Sequence, residues 1–280
     1  MIPLPQTGTL SPHIVGEVVY YGFPALEALP FVRHGFSTRL GGVSEGIYAS
    51  MNLSYTRGDD PARVRENFAR ICGAMGLDAG QVVLSAQEHH INLVNVTAAD
   101  AGRGVNRERF ADVDGLLTDE PGVVLCTQYA DCVPLFFADP VRRAVGVVHA
   151  GWRGTAAGIG AVAVERLCRD YGCRREDILA GIGPSIGPCC FEVDTPVYEA
   201  FAGRPEWDGA CFRRAERDGT EKFHIDLWRV NRRILEAAGV KADHITVADL
   251  CTRCHPNLFW SHRATGGQRG SLAAFIGLTG

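Results

Sequence analysis

The chain has 280 residues, a length that suits one large domain or two ordinary ones. Hydrophobic residues make up 46% of it and charged residues 21%, which excludes a mainly disordered chain because a core can form. With 28 basic and 32 acidic residues the net charge is -4, so no large positive field exists for a nucleic acid or an anionic membrane. We therefore expect small-molecule partners.

Residues 1–22 lack a charged segment followed by an apolar one, so we interpret them as an N-terminal arm rather than a signal peptide. No apolar run reaches the roughly 18 residues that a membrane-spanning helix needs. We therefore expect a cytoplasmic protein that does not cross a membrane. In that compartment its ten cysteines are expected to be thiols or metal ligands rather than disulfides.

Three helices are predicted. Asp60 followed by Pro61 is typical of a helix start, an apolar stripe follows, and Gly76 ends the helix. Two more are predicted over residues 155–171 and 226–238, each with a glycine directly after its last residue.

Short β-branched runs predict strands at residues 82–84, 93–97, 123–127, 133–137, 145–148, 178–182, 245–248 and 272–278. Between residues 82 and 149 several connections are too short for helical crossovers, so antiparallel pairs must accompany any parallel ones. The pattern predicts a mixed α/β fold with one compact domain over residues 23–280.

The segment Cys251-Thr252-Arg253-Cys254-His255 matches the pattern of covalent haem attachment. Haem attachment requires export, for which we find no signal. A zinc knuckle would need a second pair of ligands, which His255 and His262 could supply, but we favour two thiols at a strand end. We predict neither haem nor a second metal here.

Three other segments place reactive side chains at or just after apolar runs: residues 87–90, 130–134 and 148–155. Two imidazoles and one thiolate from them would form a zinc site with an open fourth position. Spacing alone indicates this weakly, because nine histidines and ten cysteines offer many accidental triples. The alternative is that Cys132 is a core thiol and His149 a hydrogen-bonded strand residue.

The segment that begins at His149 has a second possible use. Unpaired amides at the start of the helix near Thr155, together with the guanidinium of Arg153, could bind an anion such as phosphate. The alternative is a glycine-rich turn with a solvated arginine. A similar glycine-rich loop over residues 34–44 could line the same cleft.

The motifs together resemble those of the YfiH family, also called the laccase-domain or polyphenol oxidase family. They are His34-Gly35-Phe36-Ser37-Thr38-Arg39, Gly41-Gly42-Val43-Ser44, Asn52-Leu53, Gly58-Asp59-Asp60, Gln87-x-His89, Asp114-Gly115-Leu116-Leu117-Thr118, Ala130-Asp131-Cys132, His149-x-Gly151-Trp152-Arg153-Gly154-Thr155, Ile182-Gly183-Pro184, Glu192-Val193, Cys251-Thr252 and Ser261-His262-Arg263. The resemblance runs from about residue 34 nearly to the end of the chain. It implies an α/β/β/α layered sandwich with mixed sheets.

Members of that family are described as purine nucleoside phosphorylases that also deaminate adenosine and cleave methylthioadenosine, with a zinc ion held by two histidines and one cysteine. The resemblance maps these ligands onto His89, Cys132 and His149. It implies adenosine, inosine or methylthioadenosine and phosphate as substrates, with no role for nucleic acid or membrane.

Within this hypothesis Arg153 and the helix amides hold phosphate, with Arg39 and Thr155 as further substrate-binding residues. Asp131 and His34 are candidate proton carriers. Asp131 directly precedes a proposed ligand, so a structural role as a hydrogen-bond acceptor is an equal alternative.

Two positions depart from the family pattern. His90 stands where the family usually has glycine, and it could crowd the metal, add a donor or point away. Phe191 replaces the usual tyrosine and so lacks a hydroxyl group. Neither position is a proposed metal ligand.

Other functions remain open. Copper-dependent phenol oxidation is disfavoured because the nine histidines include no His-x-His pair. A metal-free cysteine hydrolase would use Cys132 as nucleophile and His149 as base. Hydrolysis of cell-wall precursors, reported for some relatives, is a further alternative. Metal content and thiol reactivity distinguish the zinc and cysteine hypotheses.

Overall fold

The computed structural model describes residues 4–280 except residues 6, 205, 206, 208, 209, 211, 212, 218 and 219. The strands in that part of the chain are β1 (Ser11–Val15), β2 (Val18–Gly22), β3 (Val32–Ser37), β4 (Val82–Leu84), β5 (Leu93–Asn95), β6 (Gly115–Thr118), β7 (Val124–Tyr129), β8 (Val133–Asp139), β9 (Ala144–Ala150), β10 (Leu179–Ile182), β11 (Glu192–Val193), β12 (Arg213–Arg217), β13 (Thr220–His224), β14 (Ile245–Val247) and β15 (Leu272–Leu278). The helices are α1 (Pro24–Glu27), α2 (Pro61–Met75), α3 (Trp152–Ala156), α4 (Ile159–Tyr171), α5 (Thr195–Glu199), α6 (Leu227–Ala237) and α7 (His262–Thr265). None of these helices is long and apolar enough to span a membrane.

Most strands form two six-stranded sheets, in the orders β1-β2-β3-β15-β7-β4 and β14-β10-β8-β9-β6-β5. In the first sheet only β7 and β4 pair in parallel, and in the second the parallel pairs are β14 with β10 and β5 with β6. A small antiparallel sheet contains β11, β13 and β12. The predicted mixture of parallel and antiparallel pairs is confirmed.

Three apolar cores define the layers. The middle core lies between the two large sheets and includes Leu125 and Val147. Helix α2 packs on the outer face of the first sheet, while α4 and α6 cover the outer face of the second. Because strand side chains alternate between faces, Leu125 points to the middle core and its neighbour Cys126 to the core under α2. The α/β/β/α layering that the resemblance implied is confirmed.

The predicted helices form with small differences. Helix α2 begins after Asp60, whose carboxylate accepts a hydrogen bond from the amide of Ala62, and ends at Gly76 with φ 69°. The helix predicted over residues 155–171 is two helices, α3 and α4, because Gly158 at φ 80° interrupts the helical backbone.

Strands β1 to β3, β6 and β11 to β13 were not predicted from the sequence. Strands β1 and β2 lie within the segment interpreted as an arm. They form an antiparallel hairpin, and β2 pairs with β3, so from Ser11 onwards that segment belongs to the first sheet.

The middle core provides a test of stability. Phe136 is fully buried there and packs against Phe23 and His34, with ring centroids 5.4 and 5.9 Å away. Phe136→Ala is expected to lower the free energy of unfolding by about 3–5 kcal/mol, measured by urea denaturation. The control Val141→Ala, at a position 66% exposed, should change it by less than about 0.5 kcal/mol. Equal effects of both substitutions would contradict the central position of Phe136 in the core.

Candidate metal centre and active site

A buried carboxylate organises the loop that follows β4. Asp114 is fully buried, and its two carboxylate oxygens accept hydrogen bonds from the backbone amides of Glu88, His89 and His90 at 3.1, 3.1 and 2.9 Å. The three amides converge because His89 adopts a left-handed conformation with φ 66°, which few residues other than glycine adopt. Asp114 therefore fixes the backbone of the first predicted ligand.

The same carboxylate orients the second histidine. His149 lies in β9, and its Nδ1 atom is 2.7 Å from Asp114 Oδ1. The backbone amide of His149 also donates a hydrogen bond to the carbonyl of Asp114. Because Nδ1 is occupied, Nε2 is the ring atom available to a metal, an arrangement common in metal-binding histidines. Burial alone would lower the pKa of His149, but Cys132 and Asp114 raise it to about 9.

Cys132 lies in the turn between β7 and β8 and completes the group. Ligand atoms of His89, Cys132 and His149 all lie within 4.8 Å of one another, and Cys132 Sγ is 3.9 Å from His89 Nε2. Burial alone would raise the pKa of Cys132, but His149 and His89 lower it to about 6. The structure thus brings together the three predicted ligands, and their donor types fit a zinc ion with one open position.

Gly151 allows this close approach. A Cβ atom at this position would lie 2.6 Å from His89 Cδ2 and 3.5 Å from Cys132 Sγ. Any larger residue would displace the histidine from the group. The glycine of the His149-x-Gly151 motif is therefore required by space at the metal centre.

Asp131 precedes Cys132 and has its carboxylate fully engaged. Oδ1 accepts a hydrogen bond from the Thr252 hydroxyl at 2.7 Å, and Oδ2 accepts from the Ser261 hydroxyl at 3.0 Å and the Arg263 amide at 2.7 Å. These contacts fasten the segment that contains α7 to the Cys132 turn. Asp131 also lines the cavity beside the metal group.

Two cavities meet at His89, Cys132, Arg57 and Arg269, with volumes of about 310 and 380 Å³. Each is within the range of small-molecule sites. The first, which we call the cationic cavity, is lined by polar groups including Arg57, Arg109 and Arg269. The second, the aromatic cavity, is lined by Trp152, Phe191, Ile186 and Leu227 together with His262 and Arg263.

The cationic cavity is lined by three arginines and by one carboxylate, that of Glu88. Nε of Arg269 and one terminal nitrogen of Arg109 are buried and have no hydrogen-bond partner among the described residues. Burial and the nearby Arg57 lower the pKa of Arg269 to about 10. An anion placed among these groups would relieve both the desolvation and the repulsion, so the cavity favours an anionic ligand.

Of the residues predicted to bind substrate, none lines either cavity in the described part of the chain. Arg153 is exposed and stacks on Trp152, with 4.3 Å between its guanidinium carbon and the ring. Thr155 is fully buried and accepts a hydrogen bond from Asn231 at 3.1 Å. The Arg39 guanidinium donates to the carbonyls of Ala49 and Pro256. These contacts indicate structural positions for Thr155 and Arg39.

His34 also lies away from the metal group. It is buried in the middle core, where its Nε2 accepts a hydrogen bond from the Phe23 amide at 2.8 Å. Burial, with a smaller effect of His13, lowers its pKa to about 3. A buried ring with a strongly lowered pKa that lines neither cavity does not support the predicted role as a proton carrier.

The two residues that depart from the family pattern, His90 and Phe191, lie in different surroundings. His90 points away from the metal group, and its Nδ1 lies 2.6 Å from a carboxylate oxygen of Asp112 at the surface. Hydrogen bonding to Asp112 raises the pKa of His90. Phe191 lines the aromatic cavity, where it presents an apolar ring.

Sequence reasoning missed the residues that complete the site. Asp114 lies in a recognised motif. Nothing in the sequence pattern indicates that its carboxylate, 25 positions after His89, accepts a hydrogen bond from the His89 amide. Arg57, Arg109 and Arg269 carried no signal that separates them from the other arginines. Only their convergence on one cavity distinguishes them.

Known proteins are similar to this chain over most of its length. Residues 33–279 match the family described as multi-copper polyphenol oxidoreductase laccase. The chain belongs to this family. It is 37% identical over 246 residues to "Purine nucleoside phosphorylase YlmD" of Bacillus subtilis (strain 168), covering 87% of each protein. It is 35% identical over 253 residues to "Adenosine deaminase RL5" of an unknown prokaryotic organism, covering 86% of this chain and 94% of that one.

The family also shares the fold. The crystal structure of the Bacillus licheniformis hypothetical protein YfiH has a TM-score of 0.86 and 35% identity with this chain, covering 95% of it and 97% of the other. The resemblance that the motifs indicated is thereby confirmed, as is the predicted fold class.

Asp114 provides a test of the metal centre. Asp114→Asn removes the charge that orients His149, so zinc affinity should fall by about 10- to 100-fold, measured by competition with a chelator. Asp112→Asn is the matched control because Asp112 contacts exposed His90 and Asn92 rather than a ligand. Its zinc affinity should equal that of the unchanged protein. Equal losses in both variants would contradict the assigned role of Asp114.

Proposed function

We propose that this protein is a zinc-dependent purine nucleoside phosphorylase that acts on adenosine, inosine and methylthioadenosine, and that it also deaminates adenosine. The observation that carries the proposal is the His89, Cys132 and His149 group at the junction of a cationic and an aromatic cavity. The names of the related YlmD and RL5 proteins support both reactions.

The two cavities suit the two substrates. Phosphate carries the negative charge that Arg57, Arg109 and Arg269 favour, and guanidinium groups bind its oxygens in pairs. The purine ring is a flat aromatic surface, which Trp152 and Phe191 can contact. The nucleoside would then extend from the aromatic cavity past the metal ligands, with its sugar near the bound phosphate.

In phosphorolysis a phosphate oxygen attacks the anomeric carbon, the glycosidic C–N bond breaks, and the purine leaves with the electron pair and takes up a proton. A zinc ion held by His89, Cys132 and His149 would act as a Lewis acid that polarises a substrate oxygen. The arginines hold phosphate for attack and balance its charge. Deamination uses water instead and therefore does not depend on the phosphate position.

His262 and Asp131 have different proposed roles, the first as a proton carrier and the second as a positioning residue. His262 lines the aromatic cavity, and burial lowers its pKa. A lowered pKa makes the imidazolium a stronger acid, so it would give its proton to the leaving purine and remain as the neutral ring. Asp131 acts as a positioning residue because its oxygens already accept three hydrogen bonds. It holds the segment that carries His262 and Arg263.

The phosphate assignment is tested by Arg57→Gln. Loss of a charged hydrogen-bond donor should raise the KM for phosphate by about 10- to 100-fold. Deamination of adenosine should fall much less, although Arg57 also lines the aromatic cavity. Product analysis with adenosine, with and without phosphate, measures both reactions. Arg65→Gln, an exposed arginine on α2, serves as the matched control.

Arg153→Lys tests the sequence-based alternative. If phosphate binds beside α3, this variant should lose phosphorolysis selectively, because lysine keeps the charge but not the paired donors. A selective loss with Arg153→Lys and none with Arg57→Gln would contradict the cationic cavity as the phosphate site.

A cysteine hydrolase is the second candidate, because Cys132, His149 and Asp114 also have the order of a nucleophile, a base and its orienting acid. Such an enzyme could hydrolyse cell-wall precursors. The second imidazole, His89, beside Cys132 favours the metal instead, since a nucleophile needs only one base. Thiol reactivity separates the two.

We expect Cys132→Ala to fold, to lose the zinc ion bound by the His89, Cys132 and His149 group, and to lose phosphorolysis, as measured by circular dichroism, metal analysis and product assays. In the unchanged protein, iodoacetamide should label Cys132 only after zinc is removed by a chelator, because a bound thiolate does not react. Rapid labelling of a fully metal-loaded protein would instead favour the hydrolase.

Copper-dependent phenol oxidation lacks the donors it needs. All nine histidines lie in the described part of the chain, and the metal-competent groups found there contain two histidines or none. A multicopper oxidase requires several imidazole-rich centres. The family's descriptive name therefore does not favour that activity for this chain.

A further inference from the structure

A second group of metal-competent side chains lies outside the candidate active site. Cys189 and Cys190 lie in the loop after β10, and Cys251 and Cys254 in the loop after β14. Strands β10 and β14 are parallel neighbours, so the loops that follow them leave the same edge of the sheet. Backbone hydrogen bonds between Ser185 and residues 250 and 252 continue this pairing and bring the four cysteines together.

The geometry fits a tetrathiolate site. The four Sγ atoms all lie within 4.8 Å of one another, and Cys254 Sγ is 3.6 Å from Cys189 Sγ and 3.4 Å from Cys190 Sγ. A tetrahedral zinc ion with Zn–S bonds of about 2.3 Å places its sulfur atoms about 3.8 Å apart. The sulfur positions are therefore close to those that zinc requires.

The surroundings suit thiolates as well. The Gly187 amide donates a hydrogen bond to Cys251 Sγ at 3.2 Å, which stabilises negative charge on sulfur. The Arg253 side chain hydrogen-bonds to Cys190 and places a positive charge beside its sulfur. Four thiolates and one zinc ion carry a net charge of -2, which this cation partly balances.

We propose that Cys189, Cys190, Cys251 and Cys254 bind a second zinc ion with a structural role. On binding, the four thiols release four protons and four Zn–S bonds form, with no change of oxidation state. All four coordination positions are filled by protein, as in structural zinc sites. The site is independent of the proposed function because it shares no ligand with the first group.

This proposal differs from the sequence-based expectation, which favours two thiols at a strand end over a second metal at Cys251 and Cys254. In the sequence alone, His255 and His262 are the candidates for a second ligand pair. The structure supplies that pair as Cys189 and Cys190, while His262 lines the aromatic cavity. Ligands separated by more than 60 residues cannot be paired from spacing alone.

The position of the site indicates what the metal would stabilise. Phe191, which lines the aromatic cavity, directly follows Cys190. Thr252, between the other two ligands, donates a hydrogen bond to Asp131 beside the metal centre. A zinc ion would thus join the two loops that shape one wall of the aromatic cavity.

Zinc content of the intact protein, expressed with zinc and purified under reducing conditions, tests the proposal. The unchanged protein should hold two zinc ions per chain, Cys254→Ser one and Cys132→Ala one, with the double variant holding none. Cys189→Ser, also at an exposed position, should repeat the result of Cys254→Ser. Cys168→Ser, a cysteine outside both groups, is the control and should retain two.

Further measurements distinguish bound zinc from a disulfide or another metal at the four cysteines. Mass spectrometry of the denatured, unreduced protein should give the fully reduced mass, and Cys254→Ser should unfold at a lower temperature than the control. Cobalt bound to Cys132→Ala should show strong thiolate-to-metal absorption that Cys254→Ser removes. A zinc content unchanged by Cys254→Ser and Cys189→Ser, a disulfide among these cysteines, or iron in place of zinc would overturn the proposal. If only Cys132→Ala lost zinc, the result would support the first zinc site, at His89, Cys132 and His149, and refute the second zinc site.

Discussion

The candidate active site depends on the buried carboxylate of Asp114. With no solvent exposure, this group must be satisfied by the protein, and three backbone amides and the Nδ1 of His149 do so. One carboxylate therefore sets both the backbone of His89 and the ring orientation of His149. Burial raises the pKa of Asp114, whereas its hydrogen bonds and the nearby His149 lower it. The lowering effects are larger, so the pKa of Asp114 lies below its usual value.

The layered fold explains why distant residues meet at this carboxylate. Asp114 directly precedes β6, which pairs with β9, so that Gly115 lies opposite Val148, next to His149. Strand β9 also pairs with β8, which places Val133 opposite Ala150 and brings Cys132 to the same edge. Apolar residues of the two large sheets pack against each other behind this edge.

Charge is distributed unevenly around this centre. The chain as a whole carries a net charge of -4, yet Arg57, Arg109 and Arg269 surround one cavity. The cavity beside it shares Arg57 and Arg269 and adds apolar and aromatic groups together with Arg263. Net charge excluded a nucleic-acid surface but could not show this local excess of cations, because the field in a cavity depends on the few nearest groups.

The sequence by itself determined the mixed α/β class, the helix starts at Asp60 and Asp226 and most central strands. Through the family motifs it also indicated the candidate metal ligands His89, Cys132 and His149. These features depend on neighbours in the chain or on motifs that survive as short segments. The short strands β6 and β11, the break at Gly158 and the roles of Asp114 and Arg269 were decided by tertiary structure. The same holds for Cys189 and Cys190, which meet Cys251 and Cys254 only because β10 and β14 are neighbours. These hydrogen bonds, ligand groups and charged cavities are formed by residues that lie far apart in the chain. The spacing of residues in a single sequence does not specify which distant residues the sheets bring together.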